Sequence, residues 1–128
     1  MPRLRAAYPQ ILVADMRRAV AFYTGTLGFH VIYLYGEPPF YGLVERDGAA
    51  LNLRHVDDPK LLQAPESEQV LAANIPVDGV KALFADLEDR GAAFAQRLQE
   101  QPWGTQDFIV RDPDGNLLCF AEAAAPPG

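Results

Sequence analysis

The feature that most constrains the fold of this 128-residue chain is that it reads twice. An apolar run near Ile11 leads straight into a helix-period run, and a second run from Asn74 does the same. Val13 matches Val77, Met16 matches Val80 and Tyr23 matches Leu87, each pair 64 residues apart. Apolar stripes that recur in register call for one supersecondary unit built twice, with both copies burying their apolar sides in one core.

Each half carries the same order of signals. Residues 8–14 read as a strand, and Asp15 is placed to cap a helix over 16–26 by accepting from its first free N–H groups. Ala19, Val20, Phe22, Tyr23 and Leu27 form the apolar stripe of that helix, and Gly28 ends it. Residues 29–35 are rich in aromatic and branched side chains, and the paired prolines at 38 and 39 break the run. Strands over 40–46 and 50–55 then flank Asp47-Gly48, a two-residue hairpin signal. The second half repeats this: a strand over 70–77, a helix over 79–90 stopped by Gly91, and strands over 92–97, 107–111 and 117–121. Pro113 and Gly115 set the turn between the last two strands. The expectation is an α+β fold: one domain over 1–128, made of βαβββ modules at about 8–56 and 70–122. A polar, proline-containing linker joins them over 57–69, and 123–128 reads as a frayed tail.

Charge and composition narrow the function classes. A net charge of −6 disfavours nucleic acid, whose binding needs Lys and Arg against phosphates. The acidic balance leans towards a cationic ligand and serves solubility equally well. No run approaches the roughly 20 apolar residues that cross a bilayer, so no membrane partner is expected. The opening MetProArgLeuArg lacks the apolar segment of a secretory leader, and the single Cys119 forms no internal disulfide. Both fit a cytoplasmic protein.

Catalytic constellations are absent from the sequence pattern. His30 and His55 have no partner at ligand spacing, and no histidine is placed to activate Cys119, so surface and core roles are expected for all three. The aromatic content is more suggestive. Tyr33 and Tyr35 alternate with Ile32 and Leu34 and therefore share one face, with Phe40 and Tyr41 just beyond and Trp103 on a loop beside Gly104. Such faces stack planar or cationic ligands, at ~0.5–2 kcal/mol per good contact.

The motifs at 13–29 (ValAlaAspMet, PheTyr, LeuGlyPhe), 77–80 (ValAspGlyVal), 102–104 (ProTrpGly) and 111–116 (ArgAspProAspGlyAsn) together resemble the vicinal oxygen chelate superfamily. This group contains glyoxalase I, extradiol dioxygenases, fosfomycin resistance enzymes and bleomycin resistance proteins. The resemblance implies two modules curled into paired half-barrels around a cleft. Metal-dependent members carry His or Glu at positions that fall on Tyr8, Asn52, Ala72 and Cys119 here. That set lacks the convergent carboxylates and imidazoles a divalent ion wants, so neither metal nor other cofactor is expected.

The chain is most similar to the bleomycin resistance group, which binds drug without chemistry. That similarity implies sequestration of a small, aromatic, cationic antibiotic. It also implies a homodimer with clefts at its interface, and makes the arm before Pro9 a candidate for exchange between subunits. Tyr33, Phe40 and Trp103 match aromatic positions that contact drug in that group, and Tyr41 lies beside them. Asn52 stands at a former ligand position, with Arg54 pointing the same way; Asp107 or Glu45 is a candidate partner for Arg54, and Asp107 and Glu37 are candidates to supply charge to the ligand. The alternative is a metal-dependent glyoxalase-like lyase drawing on unusual ligands such as Glu122, His55 or Cys119.

Overall fold

A computed structural model describes residues 1–123 of the chain. The first module runs β1 (Gln10–Val13), α1 (Met16–Ala21), β2 (His30–Tyr35), β3 (Tyr41–Arg46) and β4 (Ala49–His55). The second runs β5 (Ala73–Pro76), α2 (Val80–Asp89), β6 (Ala93–Glu100), β7 (Thr105–Arg111) and β8 (Leu117–Ala123). Each module forms one four-stranded sheet, ordered β1-β4-β3-β2 and β5-β8-β7-β6. The duplication expected from the sequence is therefore present down to strand order. It extends to register: Gln10 lies opposite Asn52 in the first sheet, and Asn74, 64 residues later, lies opposite Cys119 in the second.

Local chemistry accounts for the element ends. The Asp15 carboxylate accepts from Arg18 N at 3.1 Å, capping α1. The helix expected over 16–26 is α-helical only to Ala21 and closes as a π-helical turn, Phe22–Thr26. The wider turn is followed by a bond from Phe29 N to Tyr23 O. α2 has no side-chain cap of its own. Glu122 of β8 instead accepts from Gly79 N at 2.9 Å and Val80 N at 3.1 Å, and these bonds hold its carboxyl below the usual range. The strands expected over 8–14 and 70–77 are shorter than their apolar runs, because β1 and β5 pair only where β4 and β8 reach them. β6 and β8 run longer than expected, and Ala123, assigned to the tail, belongs to β8. Residues 124–128 lie outside the described residues. The linker holds two 3-10 turns, Pro59–Leu62 and Glu66–Glu68. No helix among the described residues is long and apolar enough to cross a membrane.

One core joins the modules. Ile11, Val13, Tyr23 and Leu53 from the first cluster with Val80, Leu87, Phe108 and Phe120 from the second. Phe108 lies 5.4 Å from Phe84 and stacks on Phe120 at 5.2 Å, ring centre to ring centre. Each fully buried side chain of this size contributes about 1.5–3 kcal/mol. A polar brace completes the joint. The turn at 112–116 inserts against the β1–α1 segment and the π-helical turn after it: Tyr23 donates to Asp112 at 2.8 Å, Ala14 N and Arg18 donate to Asp114, and Asn116 donates to Leu12 O.

Candidate functional site

Successive side chains of a strand alternate between its faces. Leu51 and Leu53 of β4 enter the core, so Asn52 and Arg54 occupy the other, open face. Val44 of β3 enters the core, which leaves Tyr41 and Leu43 on that open face, and β1 contributes Gln10 and Leu12. Register aligns them in two rows. Gln10, Asn52, Leu43 and Tyr33 form one, and Leu12, Arg54, Tyr41 and Tyr35 form the next.

This face is aromatic and uncovered. The Tyr33 and Tyr41 rings lie 6.4 Å apart, and Tyr35 meets Phe40 edge-on at 5.5 Å. Tyr33 is 44% exposed, Phe40 50% and Tyr35 65%, and every residue of β2 is exposed. Burial normally claims such side chains, and here a run of them stays open. The side chains of Asn52 and Arg54 find no hydrogen-bond or ion-pair partner among the described residues. A cavity of about 990 Å3 opens at the β1 edge of the face, where Gln10 and Leu12 meet Lys60, Gln63 and Arg111. The backbone before β1 makes no element, and residues 1–8 are exposed along their whole length.

The matching face of the second sheet is closed by its own side chains. Ile109, Leu117 and Cys119 are buried there with Ala95 and Ala121 against them. Asp107, only 6% exposed, accepts from Gln96 at 2.6 Å and Gln101 at 2.9 Å, and from Thr105 at 3.4 Å. It pairs with no arginine among the described residues, and it lies on the other sheet from Arg54. Gln101 then begins the turn that carries Trp103. Gly104 N donates to Gln101 O at 3.0 Å, with Pro102 and Trp103 between them and Gly104 at φ 100°. Trp103 is held out, 72% exposed, on the opposite sheet from the tyrosines rather than among them.

The four positions that the resemblance marks as metal-ligand positions do not suit a divalent ion. Tyr8 sits in the exposed N-terminal segment, Asn52 offers a neutral amide and Ala72 offers nothing. Burial, with the Asp107 carboxylate nearby, pushes the Cys119 thiol up to about 11, far from the thiolate that metals bind. Glu122 is engaged in capping α2, and His55 lies at the exposed end of β4, 3.6 Å from Asp57. His30 is exposed at the start of β2 and opposite Glu45, while Glu37 lies in the turn beyond Tyr35.

The structure thus brings Tyr33, Tyr41, Phe40, Asn52 and Arg54 onto one module and leaves Trp103 and Asp107 on the other. Sequence reading missed Gln10 and Leu12, although alternation from Ile11 and Val13 points to them. Gln96 and Gln101 carried no such signal, because bulges in β6 on either side of Gln96 decide which side chains reach Asp107.

Comparison with known proteins follows the same lines. The family model for the Glyoxalase/Bleomycin resistance protein/Dioxygenase superfamily matches residues 5–120. A bleomycin resistance protein of Geobacillus stearothermophilus is 27% identical over 121 residues, which cover 88% of this chain and 92% of that protein. The bleomycin-binding protein of bleomycin-producing Streptomyces verticillus, solved with copper(II)-bleomycin, superposes with a TM-score of 0.73 at 22% identity, covering 98% of this chain and all of that one. A superfamily member from Alicyclobacillus acidocaldarius gives a TM-score of 0.76 at 22% identity, over 93% and 91% of the two chains. Those two structures share the fold.

Proposed function

The chain belongs to the Glyoxalase/Bleomycin resistance protein/Dioxygenase superfamily, and from that premise we propose that it binds and sequesters a small aromatic antibiotic of the bleomycin type without transforming it. The observation that carries this reading is the uncovered aromatic face of the first sheet, where Tyr33, Phe40 and Tyr41 stand beside two unpartnered polar side chains, Asn52 and Arg54. Aromatic shelves of this kind contribute about 0.5–1.5 kcal/mol per ring contact beyond the area they bury. Protection then follows from occupancy, so affinity matters and turnover does not.

In this proposal the cleft is completed by a second copy. The open face of one first sheet meets the second sheet of its partner, whose Trp103 turn supplies the opposite wall, and the segment before Pro9 crosses between subunits. Asp107 acts through Gln101 to hold that turn. Support comes from three features: the exposure of every residue of β2, the exposed residues 1–8, and the placement of Trp103 away from the tyrosines of its own chain.

The test is a calorimetric titration with bleomycin, with Trp103 emission read in parallel, since this is the only tryptophan. Saturable heat at one ligand per subunit with a change in emission is the expected result. No heat and unchanged emission would remove the bleomycin assignment.

A further inference from the structure

We infer that Gly36 is a positioning residue of the drug site proposed above, on which the inference rests: by carrying no side chain it gives the Phe40 ring the seat from which that ring meets the ligand. Residues 36–39 form the turn between β2 and β3. Phe40 N donates to Tyr35 O across this turn at 2.9 Å, and Phe40 O accepts from His55 N at 2.9 Å. The backbone of Phe40 is thereby tied to β2 on one side and to β4 on the other. Its side-chain torsions alone decide where the ring goes, and the first of them has few staggered choices.

The ring lies over Gly36. A β-carbon at 36 would overlap Cδ1 and Cε1 of Phe40 and approach Pro38 O to 3.0 Å. Tyr35 meets the same ring edge-on at 5.5 Å. Phe40 thus rests on bare backbone and against a ring of the open face, with half of the residue left exposed. A ring laid across a glycine also shields backbone that has no side chain of its own. Backbone conformation alone does not account for glycine at this position. Gly36 has φ 103°, in the region that glycine adopts readily. Gly48, at the other end of β3, has φ 89°, yet nothing lies within 4 Å of where its β-carbon would stand. Both turns call for glycine by their φ, and the turn at 36 requires in addition that the space stay empty. A side chain there would turn the Phe40 ring out of its seat and away from Tyr35.

A double-mutant cycle with bleomycin as the probe tests this. Phe40→Ala should lower affinity about two- to tenfold, the span of one lost ring contact. Gly36→Ala should lower it to a similar extent, and should have no further effect in the Phe40→Ala background, where no ring remains to be displaced. Gly48→Ala carries the φ strain without the collision and should leave affinity unchanged. A loss from Gly36→Ala that persists in the Phe40→Ala background would overturn the inference, as would undiminished affinity in either single variant. The seat is also read in the unsubstituted protein, so that a Gly36→Ala chain that fails to fold does not decide the matter. The Gly36 α-proton resonances should lie upfield, under the ring current of Phe40, and return to ordinary values in Phe40→Ala; resonances without that shift would overturn the inference. Bleomycin binding that survives any of these contrary results would leave the binding function standing, whereas no binding to the unsubstituted protein would remove both.

Discussion

Asp107 shows how a charged residue of a sheet can hold a turn in place. Its three donors, Gln96, Gln101 and Thr105, come from both strands and the turn of one hairpin and tie that turn, which presents Trp103, to the sheet. Removing the acceptor takes its charge-assisted bonds from two half-buried amides, which keep only weaker contacts, Gln96 to the backbone O of residue 107 at 3.1 Å and Gln101 to Gln96 at 3.4 Å. Asp107→Ala is therefore expected to cost about 1–3 kcal/mol in urea unfolding and to shift Trp103 emission in the folded protein. Unchanged stability and emission would show that the turn stands without it. The sequence offered Asp107 only as a candidate charge, for Arg54 or for a ligand. What it lacked was the bulged register of β6, a property of two strands together that no residue pattern within one strand reveals. Arg54 is the contrasting case, since simple alternation from Leu51 and Leu53 already placed it and Asn52 on one face.

Among the elements, the turn at 112–116 does the most to hold the modules together. It engages α1 through Arg18, the π-helical turn after it through Tyr23, the chain after β1 through Ala14, and β1 itself through Leu12. Burial, and then the nearby Asp112 charge, push the Tyr23 hydroxyl well above its ordinary 10.0. A folded-state value raised in this way means that the stability tied to Tyr23 is fully present below about pH 10. It is lost as pH rises towards the folded value, because the unfolded chain releases that proton first. Tyr23→Phe should lower stability at pH 7 by about 1–3 kcal/mol, by leaving Asp112 short of a donor, and should flatten the fall in stability above pH 10. Denaturant midpoints measured from pH 7 to 11 check both, and an equally steep alkaline fall in the variant would contradict the assignment. The motif ArgAspProAspGlyAsn was legible as a turn, and helix limits near 16 and 90 were legible from capping and glycine signals. Two features were not: the π-helical closure of the first helix and the capping of α2 by Glu122. Both depend on partners brought close only by the fold.

At the scale of the whole molecule, duplication has produced two sheets with one strand order and two different open faces. The second face fills itself with Ile109, Leu117, Cys119 and the Asp107 clamp, whereas the first keeps its tyrosines, Asn52 and Arg54 open. The repeat at 64-residue spacing made the shared architecture readable. The asymmetry arises from side chains that differ between the copies, Tyr33 opposite Leu43 in one and Gln96 opposite Ile109 in the other. An open face on one sheet, a tryptophan turned outward on the other and an unattached leading segment are accounted for together if two copies close a shared cleft over an aromatic drug. Sedimentation velocity with bleomycin, following protein and drug absorbance separately, tests that claim most directly. The account predicts drug co-sedimenting, one molecule per chain, with a particle twice the 14.1 kDa chain mass. Drug that stays behind, or that travels with a single chain, would contradict it.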